Sequence, residues 1–233
     1  MVKARKWLFV YCSVFVMVLM VSWWASRVVT VFVENKPIQH QRTIVIDAGH
    51  GGIDGGAISC TGIPESKLNL EISLILNDLL HFLGFHTRMI RTDDISVYRE
   101  GETISQKKIS DLKERVRIVK ETKNALLLSI HQNTFSDGKY AGGQVFYAPT
   151  TGSRSLAKSI QCGIVSCLNQ GSNRKEKRSS GVFLMDHVTC PAVLIECGFL
   201  SNPVEEAKLR TSAYQQKLCC VIAATVAQHV SNT

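Results

Sequence analysis

The chain has 233 residues, 45% of them hydrophobic and 20% charged, and a formal net charge of +8 at pH 7. That length supports one domain with a sizeable core plus an appendage. Residues 1–33 hold four of the 27 Lys+Arg and none of the 19 Asp+Glu, so the rest carries 23 against 19, a +4 bias too mild to mark a nucleic-acid binder.

The appendage comes first. Lys3, Arg5 and Lys6 precede "WLFVYCSVFVMVLMVSWWA" at 7–25, an uncharged run about 28 Å long as a helix, the thickness of a hydrocarbon core. It exceeds the apolar region of a signal peptide and ends on Trp23-Trp24, which suit a membrane interface. Residues 1–33 are therefore expected to be an uncleaved transmembrane anchor, with the basic end inside and the remainder exported; cleavage after Ala25 is the competing reading. Residues 34–42 read as a polar linker, and 43–233 as a single domain. Of eight cysteines, Cys12 falls in the anchor, and the other seven are odd in number, irregularly spaced and without a CxxC pair. They make neither a disulfide framework nor a zinc ribbon and are expected to be mostly free thiols.

From residue 43 strands and helices alternate. "TIVIDAG" (43–49) predicts a strand, and the apolar spacing of 65–85 a helix closing at Gly84. A strand follows at 86–92, then an amphipathic helix at 110–123 with Ser110 or Asp111 as N-cap. "NALLLSIHQN" (124–133) and "GGQVFYAP" (142–149) are strands, and 153–170 is a helix. "RKEKR" (174–178) is expected in a solvated loop, as is His187. "PAVLIECGFL" (191–200) is a buried strand, and 202–230 forms one or two helices. Continuous apolar strands between helices give an α/β fold: a mostly parallel, twisted sheet with helices on both faces.

Ligands bind at the carboxyl ends of the strands in such a sheet. His50 follows "IVIDAG", His131 follows "LLLSI", Glu196 follows "AVLI", and Glu65 opens the first long helix. Each alone has a structural reading: a satisfied strand-end histidine, or an acid favouring a helix N-terminus. The glycine-rich turn could cradle phosphate, but it lacks the Lys-Ser/Thr of a P-loop and the G-x-G-x-x-G spacing. A carboxylate inside "AVLIECGF" is costly unless paired or bound to metal. Together the four suit a catalytic zinc site: two histidines, a carboxylate, an open position, and a second carboxylate as general base. Strand alternation turns Cys197 away from Glu196, so it reads as a structural thiol; Arg115 reads as a surface ion-pair partner.

These same stretches, "IVIDAGHGGIDGGA", Glu65, "SIHQN" and "AVLIECGFLSN", closely resemble the zinc-dependent N-acetylmuramoyl-L-alanine amidases of the amidase 3 family over about 43–230. The resemblance implies one zinc held by His50, Glu65 and His131, with Glu196 as catalytic carboxylate and Asn133 touching substrate. It also implies cleavage between the lactyl group of N-acetylmuramic acid and the L-alanine of the stem peptide. Gln132 stands where the family usually has alanine; following a ligand on a strand, it should point away from the metal. The single anchor, the lack of wall-binding repeats and the long 98–116 connection resemble the germination-specific branch found in spore-forming bacteria. There peptide removal from cortex muramic acid precedes muramic-δ-lactam formation. Two other readings compete: a wall-binding or regulatory module without turnover, and a zinc peptidase cutting within the stem. The expected partners are glycan strands with their stem peptides, the membrane, and a protein that completes or stabilises a three-ligand site.

Overall fold

A computed structural model describes residues 15–17, 19–20 and 42–232. The anchor expected at 1–33 and the linker at 34–42 fall almost wholly outside these residues; among those described, no helix is long and apolar enough to cross a membrane.

Strand β1, Thr43–Ala48, is a β-branched run buried on both faces. It is flanked by β2 (His86–Met89) and β3 (Ala125–Asn133), and β3 by β6 (Ala192–Phe199), all parallel. Helices separate most of these strands: α1 (Glu65–Phe82), α2 (Ile104–Glu121), α3 (Ser153–Cys167), and the short α4 (Phe183–His187). After β6 come α5 (Pro203–Leu209) and α6 (Ser212–Ser231). The sheet order is β2-β1-β3-β6-β4-β5.

The result is a single α/β domain with a mixed sheet, less uniformly parallel than the strand pattern suggests. β4 (Gln144–Tyr147) runs antiparallel to β6, and the two-residue β5 (Lys177–Arg178) runs parallel to β4. No helix separates β3 from β4, so the chain turns straight back, and a parallel pairing would have needed a crossover. β5 also places part of "RKEKR" on the sheet edge rather than in a loop.

Strand alternation sorts the core into two layers. Ile44, Ile46, Leu128, Ile130 and Ile195 pack with Leu68, Ile72 and Leu76 of α1, and with α3 and α6. Val45, Leu127 and Leu194 pack on the other face against α2 and α4. Each such fully buried aliphatic side chain stabilises the fold by about 1.5–3 kcal/mol.

Helix α2 begins at Ile104, well before the expected 110. Thr103 and Gln106 form a capping box: the Thr103 hydroxyl accepts from Gln106 N–H at 3.2 Å, and Gln106 Oε1 accepts from Thr103 N–H at 3.1 Å. The two residues expected to cap the helix serve the preceding loop instead. Ser110 Oγ accepts from the Arg99 and Glu100 N–H groups, and Asp111 from Val97 N–H at 2.6 Å. All seven cysteines from Cys60 onward are free thiols, with Cys197 and Cys219 buried.

Candidate metal centre

β1 delivers His50 to the carboxyl edge of the sheet through a bend that puts His50 itself at φ 60°. Two buried arginines hold this bend by its carbonyls. Arg91 donates to Ala48 O at 2.8 Å and to Gly49 O at 3.1 Å, while Arg115 donates to Ala48 O at 3.1 Å and to His50 O at 2.7 Å. Arg115 is 3% exposed and pairs with Asp47 at 2.5 Å and with Asp111 at 2.6 Å, so it is not the surface ion-pair partner its helix position suggested. Burial alone would raise the Asp47 carboxyl; the adjacent guanidinium outweighs that and holds it below the usual range.

Glu65 enters from the first turn of α1 and is 4% exposed. Its carboxylate accepts from Ala57 N–H at 3.0 Å, Gln132 N–H at 3.1 Å and Asn69 Nδ2 at 3.1 Å. Oε2 lies 3.3 Å from His50 Nε2, and Oε1 lies 3.0 Å from His131 Nδ1. The two imidazole rings are 5.0 Å apart and nearly perpendicular. Burial opposes the charge on Glu65, but the two histidines prevail and hold it far below the usual carboxylate range. Burial likewise disfavours protonated His50, yet Glu65 and Asp54 raise it to about 9.

Asp54 supplies the outer contact. Its Oδ2 lies 2.9 Å from His50 Nδ1, which turns Nε2 toward Glu65. Lys108 in turn sits 2.8 Å from Asp54 Oδ1.

Glu196 is the register partner of His131 across the β3–β6 pair. Its buried Oε2 has no hydrogen-bond partner among the described residues. Burial, reinforced by Glu65, lifts its pKa to about 7 against the pull of the histidines. Cys197, one residue on, is buried in the core layer on the α1 side of the sheet. Asn133 ends β3, half-buried, with its carbonyl accepting from Leu200 N–H at 2.8 Å. The Gln132 side chain points to Asn69 Oδ1 at 3.2 Å. His187 closes α4, exposed and stacked on Phe183, rather than lying in a loop.

One nitrogen or oxygen from each of His50, Glu65 and His131 can be chosen so that all lie within 4.8 Å of one another, a donor set that can hold a metal ion. Neighbouring glycines leave room for it. A Cβ on Gly49 would fall 2.2 Å from His131 Nε2, and one on Gly56, at φ 69°, would fall 2.7 Å from both Glu65 Oε2 and His50 Cδ2. The space these glycines leave is thus filled by the His50, Glu65 and His131 side chains themselves. One hydrophilic neighbour had a legible spacing, Asn69 four residues after Glu65 on a helix, whereas Asp54 reaches His50 across a turn. Arg91 and Arg115 had none, since nothing local marks an arginine that folds inward onto carbonyls.

The sequence matches the family described as N-acetylmuramoyl-L-alanine amidase over residues 44–228. It is 37% identical over 183 residues to the germination-specific N-acetylmuramoyl-L-alanine amidase of Bacillus subtilis, covering 78% of this chain and 76% of that one. The structure resembles that of the CwlD amidase from Clostridioides difficile in complex with the GerS lipoprotein, with a TM-score of 0.79 and 36% identity over 82% of this chain and all of that one. An N-acetylmuramoyl-L-alanine amidase from Clostridium difficile 630 aligns with a TM-score of 0.71 and 31% identity, covering 83% of this chain and 99% of that one.

Proposed function

This chain belongs to the N-acetylmuramoyl-L-alanine amidase family, and from that premise we propose that it is a zinc hydrolase of spore cortex peptidoglycan. The observation that carries the reading is the convergence of His50, Glu65 and His131 beside the unpartnered Oε2 of Glu196. The three residues would hold zinc through His50 Nε2, a Glu65 oxygen and His131 Nδ1, the atoms that already face one another.

Bound zinc supplies a Lewis acid that polarises the lactyl carbonyl and lowers the pKa of water from about 15.7 to about 7. Asp54 fixes the His50 ring so that Nε2 stays turned inward. Glu196, buried and free of other partners, takes a proton from the attacking water and returns it to the departing alanine nitrogen. Asn133, at the rim of the same strand as His131, contacts the substrate.

The germination-specific relative supports placing the substrate in cortex, where peptide removal precedes muramic-δ-lactam formation. The uncharged run 7–25 behind Lys3, Arg5 and Lys6 supports anchoring at the outer face of the cytoplasmic membrane, within the spore envelope. The relative solved with a lipoprotein supports a partner protein here as well. The full-length chain with zinc, incubated with cortex and with vegetative-wall peptidoglycan, tests the reading. Stem peptides released from cortex with zinc, and not with a chelator, are expected. Release from vegetative wall alone would overturn the cortex assignment, and chelator-resistant release would overturn the zinc assignment.

A further inference from the structure

The crevice that reaches His50 and His131 encloses about 300 Å³ and extends over the first turns of α2 to the segment 181–184. Most charges on its walls are already neutralised: Arg115 by Asp47 and Asp111, and Lys108 by Asp54. Lys107 differs. Its half-buried side chain lines the crevice with the ammonium 5.2 Å from the centroid of the Tyr98 ring, and among the described residues no carboxylate pairs with it. A ring face orients a cation without cancelling its charge. The backbone that carries each is fixed nearby, at Lys107 by the capping box of Thr103 and Gln106 and at Tyr98 by the bonds of Val97 N–H to Asp111 and of Arg99 N–H to Ser110.

A held cation with no counter-ion, in a crevice that ends on the metal ligands, suits an anion on the substrate. In a peptidoglycan stem, the residue at the scissile amide is L-alanine, which offers only a methyl group. The next is a γ-linked D-glutamate, whose α-carboxylate is the first free charge beyond the cleaved bond. We propose that Lys107 binds this α-carboxylate and is a specificity-determining residue, an inference that rests on the amidase reading above. Ile53, Val182 and Leu184 give the same crevice an apolar lining for the alanine methyl.

Two synthetic disaccharide-peptide substrates test it, alike except that the D-glutamate α-carboxyl is free in one and amidated in the other. With the full-length zinc-loaded chain, the free form should show a KM about fivefold lower, the scale of a partly solvated ion pair. Lys107→Gln should raise KM for the free form to that of the amide, and Lys107→Arg should restore the preference. Equal KM values for the wild type, or an equal loss on both substrates in Lys107→Gln, would overturn the assignment. Cleavage of neither substrate by the wild type would instead overturn the amidase reading, and this inference with it.

Discussion

At the residue scale, the proposed chemistry turns on Glu196, whose buried Oε2 has no hydrogen-bond partner among the described residues. Glu196→Gln keeps the shape of the side chain and removes the base, so turnover should fall by about 10²–10⁴ while zinc content, read by elemental analysis, stays at the wild-type level. His50 gives a pH prediction. In the metal-free protein its pKa is raised from 6.5 to about 9, so the stability it contributes is complete below pH 6.5 and is lost as pH rises through 9. Zinc must displace that proton. Its apparent affinity should therefore rise about tenfold per pH unit up to about pH 9, and calorimetry in buffers of different ionisation heat should register about one proton released. Gly56→Ala places a Cβ 2.7 Å from two ligand side chains at a left-handed φ. It should cost about 1–3 kcal/mol of stability and weaken zinc binding, measured by denaturant unfolding and metal titration. His50, His131 and Glu196 were readable from the sequence because strand ends expose single residues after unmistakable apolar runs. Asp54 and both arginines, which hold the bend around His50, were harder to see, because they act across turns or elements.

At the element scale, α2 does more than cover the sheet. Its Arg115 reaches under β1 and ties the carbonyls of the bend to Asp47 and Asp111. Arg115→Met leaves the Asp47 carboxylate buried with only the Ser129 hydroxyl and no ion-pair partner, so chemical denaturation should show a loss of about 3–5 kcal/mol; adding Asp47→Asn should recover part of it. Thr103→Ala removes only the cap and should cost about 1 kcal/mol, again by denaturation, with zinc affinity unchanged. The helix starts at Ile104 and not at 110 for a physical reason. Ser110 and Asp111 look like caps, but their acceptors are committed to the 97–100 loop, and the polar first turns carry no apolar stripe to announce a helix. The apolar strands were legible because burial on both faces makes them continuous runs. The direction of β4 was not, since four residues pair equally well either way and only the missing crossover decides.

At the scale of the whole molecule, two core layers hold a mixed sheet whose carboxyl edge gathers His50, Glu65 and His131, a set that could hold a metal ion, beside the proposed base Glu196 on β6. Metal should therefore bind the folded state and not the scattered chain. Zinc at about a hundred times its dissociation constant should add about 2.7 kcal/mol, seen as a rise in Tm of about 5–10 °C that a chelator reverses. The alternation of strands and helices made the fold class legible, and the family motifs made the reaction legible. The loop contacts that set the Tyr98 ring beside Lys107 at the crevice wall depend on packing that no local pattern encodes. The central claim is the bond that is cut and the residue that cuts it, and mass spectrometry of peptidoglycan fragments after digestion tests both together. The full-length chain with zinc should release intact stem peptides beginning with L-alanine, and Glu196→Gln should release them about 10²–10⁴ times more slowly. Fragments cut within the stem, or equal release by Glu196→Gln, would contradict it.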